Sequence, residues 1–350
     1  RVDELKLVTA DTDLDGHLVF SYNSTEDLKD FTNKVNWDVE FKQNSKVNLK
    51  DIRYFVDNFD KNSTIDVVGK VTGTLNNLQL NDFQLSGDGA FVAAKELSLI
   101  DMTDGEKIII DTKSVKIKTS YQGLQTLLPT FIGKTIPDFM NRFGTMDYSG
   151  NFNLNPSVIN VDGYAITGLG DADMKVKLQD YRSNLKYSGS LVADDINLKQ
   201  ITEVPELGFV SGRINFDGQG TDVKTIKIEA DGKLVYMDLM GKRYNNVTLD
   251  GHLANQQFNG FLGIQDPQLT ANYDGVFDFS KKPYQLKFRS TVGHVNLDYM
   301  GLTKNLNAKI RANIEGDFSI STLDDFLGQV HLKDVYFTSN KDTLEIAQAD

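Results

Sequence analysis

The sequence predicts a mainly β protein: an elongated, curved, antiparallel-rich sheet with one apolar face, accompanied by a few short amphipathic helices. Three observations carry this. Apolar and polar residues alternate along most of the chain, only a few stretches show helical spacing, and no residue cluster has the layout of a catalytic or metal centre. The alternation is plainest over residues 210 to 236, where Val210, Gly212, Ile214 and Phe216, then Ile226, Ile228, Ala230, Gly232, Leu234 and Tyr236, occupy even positions between polar neighbours. Successive side chains of a strand point to opposite faces, so one face seeks an apolar neighbour and the other seeks water.

Bulk properties narrow the function. The 350 residues hold 40% hydrophobic and 25% charged side chains, the balance of a folded chain. A net charge of -12 repels a phosphate backbone and makes nucleic acid an unsuitable partner. With no cysteine, disulfides and thiolate chemistry are excluded. The chain opens in mid-pattern at Arg1, without a signal layout or an apolar run long enough to span a membrane, and is read as one continuous segment, 1–350, of a longer polypeptide.

In chain order, Leu14, Gly16, Leu18, Phe20 and Tyr22 alternate as a strand, as do Val35, Trp37, Val39 and Phe41. Between them, Ser24, Glu26, Asp27, Leu28 and Phe31 suit one or two capped helical turns. Leu49, Ile52, Phe55, Val56 and Phe59 have the spacing of a short amphipathic helix. Val67 to Leu75 and Phe83, Leu85 and Phe91 form a hairpin pattern around Asn76-Asn77. Residues 120–144 are the clearest helical piece, a pair broken by Pro129 and Pro137, and are expected to cover the sheet with Leu124, Leu128, Phe131, Phe139 and Phe143 turned inward.

Alternation returns from Tyr148 and continues to the last strand, with Val330, Leu332 and Phe337. Its longest run comprises Leu306, Ala308, Ile310, Ala312, Ile314, Gly316, Phe318 and Ile320. A shorter phrase, Asn-Leu-x-x-aliphatic, recurs at Asn48, Asn197 and Asn296, each time before a new set of strands. It reads as a crossing element repeated along an extended sheet.

Candidate chemistry is sparse. Asp11-Thr12-Asp13-Leu14-Asp15-Gly16 opens like a calcium loop, but Tyr22 stands where a bidentate Glu is required. His17, His252, His294 and His331 lack ligand spacing, and the adjacent carboxylates Asp194-Asp195 and Asp324-Asp325 point to opposite faces of a strand. No enzyme activity, cofactor or metal is expected. The apolar face is either closed inside a sandwich or barrel, or open as a trough for an apolar ligand, and glycines on its register such as Gly212, Gly232 and Gly316 leave room for curvature. Its expected lining includes Ile214, Phe216, Ile226, Ile228, Leu234, Phe277, Phe279, Ile310, Ile314 and Phe318.

The phrases GSLVADDINLKQITEVPELGFVSGRINFDGQG, EADGKLVYMDLMGKRYNNVTLDGHLANQQFNGFLGIQDPQLTANYDGVFDFS and NIEGDFSISTLDDFLGQVHLKDVYF resemble the TamB family, related to the AsmA-like envelope proteins. The similarity runs over about 145–340, with Gly260, Asp266, Pro267, Asp274, Gly275, Asp278 and Ser280 as its densest cluster. It implies a U-shaped "β-taco" with an apolar interior, in a long periplasmic protein anchored to the inner membrane. It further implies phospholipid passage between the inner and outer membranes. The alternative is a scaffold assisting the assembly of outer-membrane barrel proteins or autotransporters. The implied partners are phospholipid or another acyl lipid and an outer-membrane insertase.

Overall fold

A computed structural model describes residues 2–52, 62–87, 89–102, 104–127, 138–203, 205–220, 222, 224–322 and 325–349. The chain is mainly β, with 21 strands, few short helices and only antiparallel pairings among those described. It divides into unit 1, Arg1–Ser183, and unit 2, Asn184–Asp350. No described helix is long and apolar enough to cross a membrane.

Unit 1 begins with β1 (Val2–Val8), β2 (Asp13–Ser21), β3 (Asn36–Phe41) and β4 (Lys46–Asn48). There follow β5 (Thr64–Thr74), β6 (Asn77–Gly87), β7 (Ala90–Ile100) and β8 (Ile109–Ser120), then β9 (Thr145–Leu154), β10 (Val158–Thr167) and β11 (Gly170–Gln179). The strands β3 and β4 share one lane between β2 and β5. Every other described neighbour in the unit is joined in sequence order. Its main core packs Val39, Val67, Val71, Leu75, Leu78, Leu80 and Phe83. The expected helical turns before β3 are present as a 3-10 turn at Thr25–Asp30 and α1 (Phe31–Lys34), with the Asp27 carboxylate accepting from the Asn23 and Ser24 amides. Phe31 closes an edge-to-face cluster with Phe20 and Trp37. Phe91 departs from the expected hairpin pattern: it is exposed, and Ala90 and Ala94 hold the buried positions of β7.

Unit 2 is a meander in which each strand pairs with the next. It comprises β12 (Lys186–Asn197), β13 (Leu207–Gln219), β14 (Lys227–Leu239), β15 (Lys242–Ala254) and β16 (Gln257–Asp266). The remaining strands are β17 (Leu269–Asp278), β18 (Tyr284–Asn296), β19 (Lys309–Thr322), β20 (Asp325–Thr338) and β21 (Thr343–Ala349).

The recurring Asn-Leu phrase marks one structural device. Asn48, Asn197 and Asn296 end strands, and their side chains accept amide hydrogen bonds from Lys50, Gln200 and Tyr299. Each thereby caps a short helix: α2 (Leu49–Ile52), α4 (Leu198–Thr202) and α5 (Leu297–Met300). After β8 the same place is held by α3 (Tyr121–Leu127), where the Ser120 hydroxyl accepts from the Gly123 amide. The expected continuation of α2 through Phe55, Val56 and Phe59 lies outside the described residues.

A second device breaks the simple alternation. Asp82, Ser114, Asp195, Asn246 and Asp334 have φ between 47° and 53°, a left-handed conformation that Asn and Asp tolerate better than most residues. Each ends a polar doublet between inward residues three apart: Leu80 and Phe83, Thr112 and Val115, Ala193 and Ile196, Tyr244 and Val247, Leu332 and Val335. The pairing shifts register beside Asp82, Ser114, Asp195 and Asp334, while Asn246 is skipped together with Val235 of β14. Such bulges bend the strand and swap the parity of every residue beyond them.

Candidate functional site

The candidate site is the apolar face of unit 2, whose strands end at two chemically different rims. At the rim formed by Asn197, Leu239, Asp266 and Asn296, the strands kink and the short helices cross. Val210, Leu234, Tyr244, Val247 and Ile264 form a buried cluster there, packed by Leu198 of α4 and by Tyr299 and Met300 of α5. The Tyr244 hydroxyl donates to Met300 Sδ at 3.2 Å, and the Tyr299 hydroxyl donates to the Arg243 carbonyl at 3.1 Å. Three strand spacings of about 4.8 Å separate β15 from β18, so α5 must reach back over β16 and β17 to make these contacts.

Asp266 fastens this rim. It is 4% exposed, and its carboxylate accepts from the Asn245 amide, the Asn245 side chain and the Gln268 amide at 2.6–3.0 Å. Burial pushes its pKa upward, but the three hydrogen bonds outweigh burial and hold it below the ordinary aspartate value of 3.8. At neutral pH it is a satisfied anion that ties the β15 bulge to the β16–β17 turn.

Towards the opposite rim the same face is aromatic and open. Tyr187 packs against Phe216, Phe277 against Phe279 and Tyr284, and Phe288 against Tyr273 and Phe318, with centroids 5.5–6.3 Å apart. The room left by glycines on the apolar register is taken up by aromatic rings. A side chain on Gly316 would meet the Phe288 ring at 2.5 Å, and one on Gly251 would meet the Phe258 ring at 2.4 Å. Aromatic rings therefore lie over cross-strand glycines. Tyr187 and Tyr273 have raised pKa values because burial disfavours phenolate, so the layer carries neutral hydroxyls. Among the described residues, the Tyr273 hydroxyl has no hydrogen-bond partner.

Of the ten side chains expected to line the face, Ile214, Phe216, Ile226, Ile228, Phe277, Phe279, Ile310, Ile314 and Phe318 are half-buried. Leu234 is buried in the cluster at the helix-bearing rim. On the same long strand Lys309, Asn313 and Asp317 are exposed, as alternation requires. Beyond Leu234 the parity changes, so Met237 and Leu239 join the cluster while Tyr236 lies under the Arg243 guanidinium, 3.7 Å from its ring.

In unit 1, α3 packs against β7 and β8, with Tyr121 buried and Leu124 half-buried. Phe143 is half-buried at the end of the turn Asp138–Phe143. Leu128, Phe131 and the side chain of Phe139 lie outside the described residues.

The wet face of unit 2 carries shallow depressions. One, of about 340 Å³, lies among Asp274, Arg289, Glu315 and His331, and another, of about 510 Å³, among Asp217, Glu229, Asp231 and Asp250. Asp194 and Asp195 do not converge on a substrate: both are exposed, Asp195 forms the β12 bulge, and its amide donates to the Ser211 hydroxyl at 2.8 Å. Among the described residues, no group of three or more His, Asp or Glu is placed to share a metal ion. Comparison with protein-family models, with curated proteins and with solved structures finds no match to this chain.

Proposed function

We propose that the apolar face of unit 2 is a lipid-conducting surface, on which phospholipid acyl chains rest while passing between the inner and outer membranes in support of outer-membrane biogenesis. The observation that supports this best is the half-exposure of nine of the ten lining side chains. A closed sandwich or barrel would bury such side chains on both sides.

Transfer from water contributes about 0.8 kcal/mol per methylene, so sheltering roughly ten methylenes offsets much of the cost of lifting an acyl chain from a bilayer. The periplasmic setting, the anchorage within a longer protein and an outer-membrane insertase as partner rest on the resemblance to the TamB family. Native mass spectrometry of protein taken from its own envelope tests the reading. Phospholipid-sized adducts are expected, and I314D should lose them while keeping its β circular dichroism. Protein without lipid under conditions that preserve other non-covalent complexes would contradict the proposal.

A further inference from the structure

Resting on the lipid reading of the same face, we infer that the aromatic rim of unit 2 receives an anionic lipid headgroup, with Lys281 and Lys282 as its principal contacts and the turn of Lys224 as a second station. Lysines on the strands of this protein are commonly paired across to a carboxylate: Lys113 to Glu96 at 2.7 Å, Lys118 to Asp147 at 3.0 Å and Lys287 to Asp317 at 2.9 Å. None of the three rim lysines enters an ion pair among the described residues. The acids of their own turns are held by hydrogen bonds within those turns, and Lys281 adds only a through-space attraction to Asp278. Asp278 accepts from the Ser280 amide and hydroxyl at 2.9 and 2.6 Å, and Asp222 accepts from the Lys224 amide at 2.7 Å.

Three lysines against two aspartates leave these two turns at +1 in a chain of net charge -12. The positive stretch ends before Asp324-Asp325. What adjoins the charge selects an amphiphile over a free anion. Lys281 and Lys282 stand between Phe279 and Tyr284, whose rings flank Phe277, and Lys282 Nζ lies 5.6 Å from the Tyr284 centroid. An acyl chain on the aromatic layer thus brings its phosphate to ammonium groups. At the other rim the apolar face itself is closed by the buried cluster, although Phe209, Met240 and Leu302 are exposed around it. The two lysine stations are four strand spacings apart, about 19 Å, so they serve successive lipids and not one headgroup.

The test measures binding of fluorescent phosphatidylglycerol and phosphatidylcholine with identical acyl chains to the full chain, using wild type, K281E/K282E and, as a control, K175E on β11 of unit 1, where Lys175 pairs with Asp162 at 3.4 Å. Each lysine near an anionic lipid is worth about fivefold in affinity before screening. Wild type and K175E should prefer phosphatidylglycerol by about tenfold, and K281E/K282E should abolish that preference without changing phosphatidylcholine binding. Inorganic phosphate at millimolar concentration should not displace the lipid. Equal binding of both lipids by wild type, or an unchanged preference in K281E/K282E, overturns the headgroup assignment and leaves the lipid surface standing. Displacement by inorganic phosphate overturns it in favour of a free-anion site. Failure to bind either lipid removes the lipid surface itself, and this inference with it.

Discussion

At the helix-bearing rim of unit 2, Val210, Leu234, Tyr244, Val247 and Ile264 are between 1 and 6% exposed, whereas towards the lysine rim Phe216, Ile228, Phe277 and Phe318 remain half-exposed. The residue types and the alternation are similar. The two regions differ in their surroundings: the closed end has bulges at Asp195 and Asn246 and the covering helices α4 and α5, and the open end has aromatic rings over glycine. Alternation thus decides which side chains share a face. Bulges and caps decide whether that face becomes a core or a surface.

The largest expected effect separates the two regions directly. Leu234→Ala removes a buried side chain and should destabilise unit 2 by about 2–5 kcal/mol, while Ile228→Ala, half-exposed on the same strand, should cost about 1 kcal/mol. Urea titrations followed by circular dichroism measure both, and equal costs would erase the distinction.

Asp266→Asn comes next, at about 1–3 kcal/mol, because a buried acceptor of three hydrogen bonds is replaced by an amide that cannot satisfy all the same donors. Its pH dependence has a definite sign. A carboxylate whose folded pKa is depressed contributes its stability above the unfolded value, near 3.8, and loses it as the pH falls through the folded value. The stability gap between wild type and D266N should therefore be constant from neutral pH to about pH 5 and narrow below 3.8. A gap independent of pH down to acid unfolding would contradict this role.

The bulge predicts a pair of opposite outcomes. Asp195→Val places a β-branched residue at a φ of 52° and should cost about 1–2 kcal/mol, whereas Asp195→Gly should be tolerated within about 0.5 kcal/mol. Thermal melts of the two variants distinguish a backbone role from a carboxylate role, which would make both harmful. The smallest effect is that of the caps: Asn296→Ala should cost about 1 kcal/mol and increase hydrogen exchange in α5 before it affects the aromatic rim.

Much of this was legible in the residues. Period-two alternation placed Ile310, Ile314 and Phe318 on one face and Lys309, Asn313 and Asp317 on the other, because side-chain direction is a local property of extended backbone. The Asn-Leu phrase identified the crossing elements, since a capping Asn and the apolar residue after it act within one turn. Parity at the kink of β14 was misread: strict alternation carried Tyr236 onto a face that the structure ends at Leu234. The signal was present as inward residues three apart around doublets ending in Asp, Asn or Ser. The buried role of Tyr244 was not legible, because it depends on α5 returning from more than fifty residues away. Nor does a glycine reveal from spacing whether an aromatic ring lies over it.

The central claim is that one face of β19 is open to lipid and the other is not. A photo-crosslinking side chain at Ile314 or Phe318 tests it most directly against the same side chain at Asn313 or Asp317, in cells, with the adduct identified by mass spectrometry. Phospholipid adducts should form at Ile314 and Phe318 and be absent at Asn313 and Asp317. Equal capture from both faces, or none from either in well-folded protein, would contradict the account.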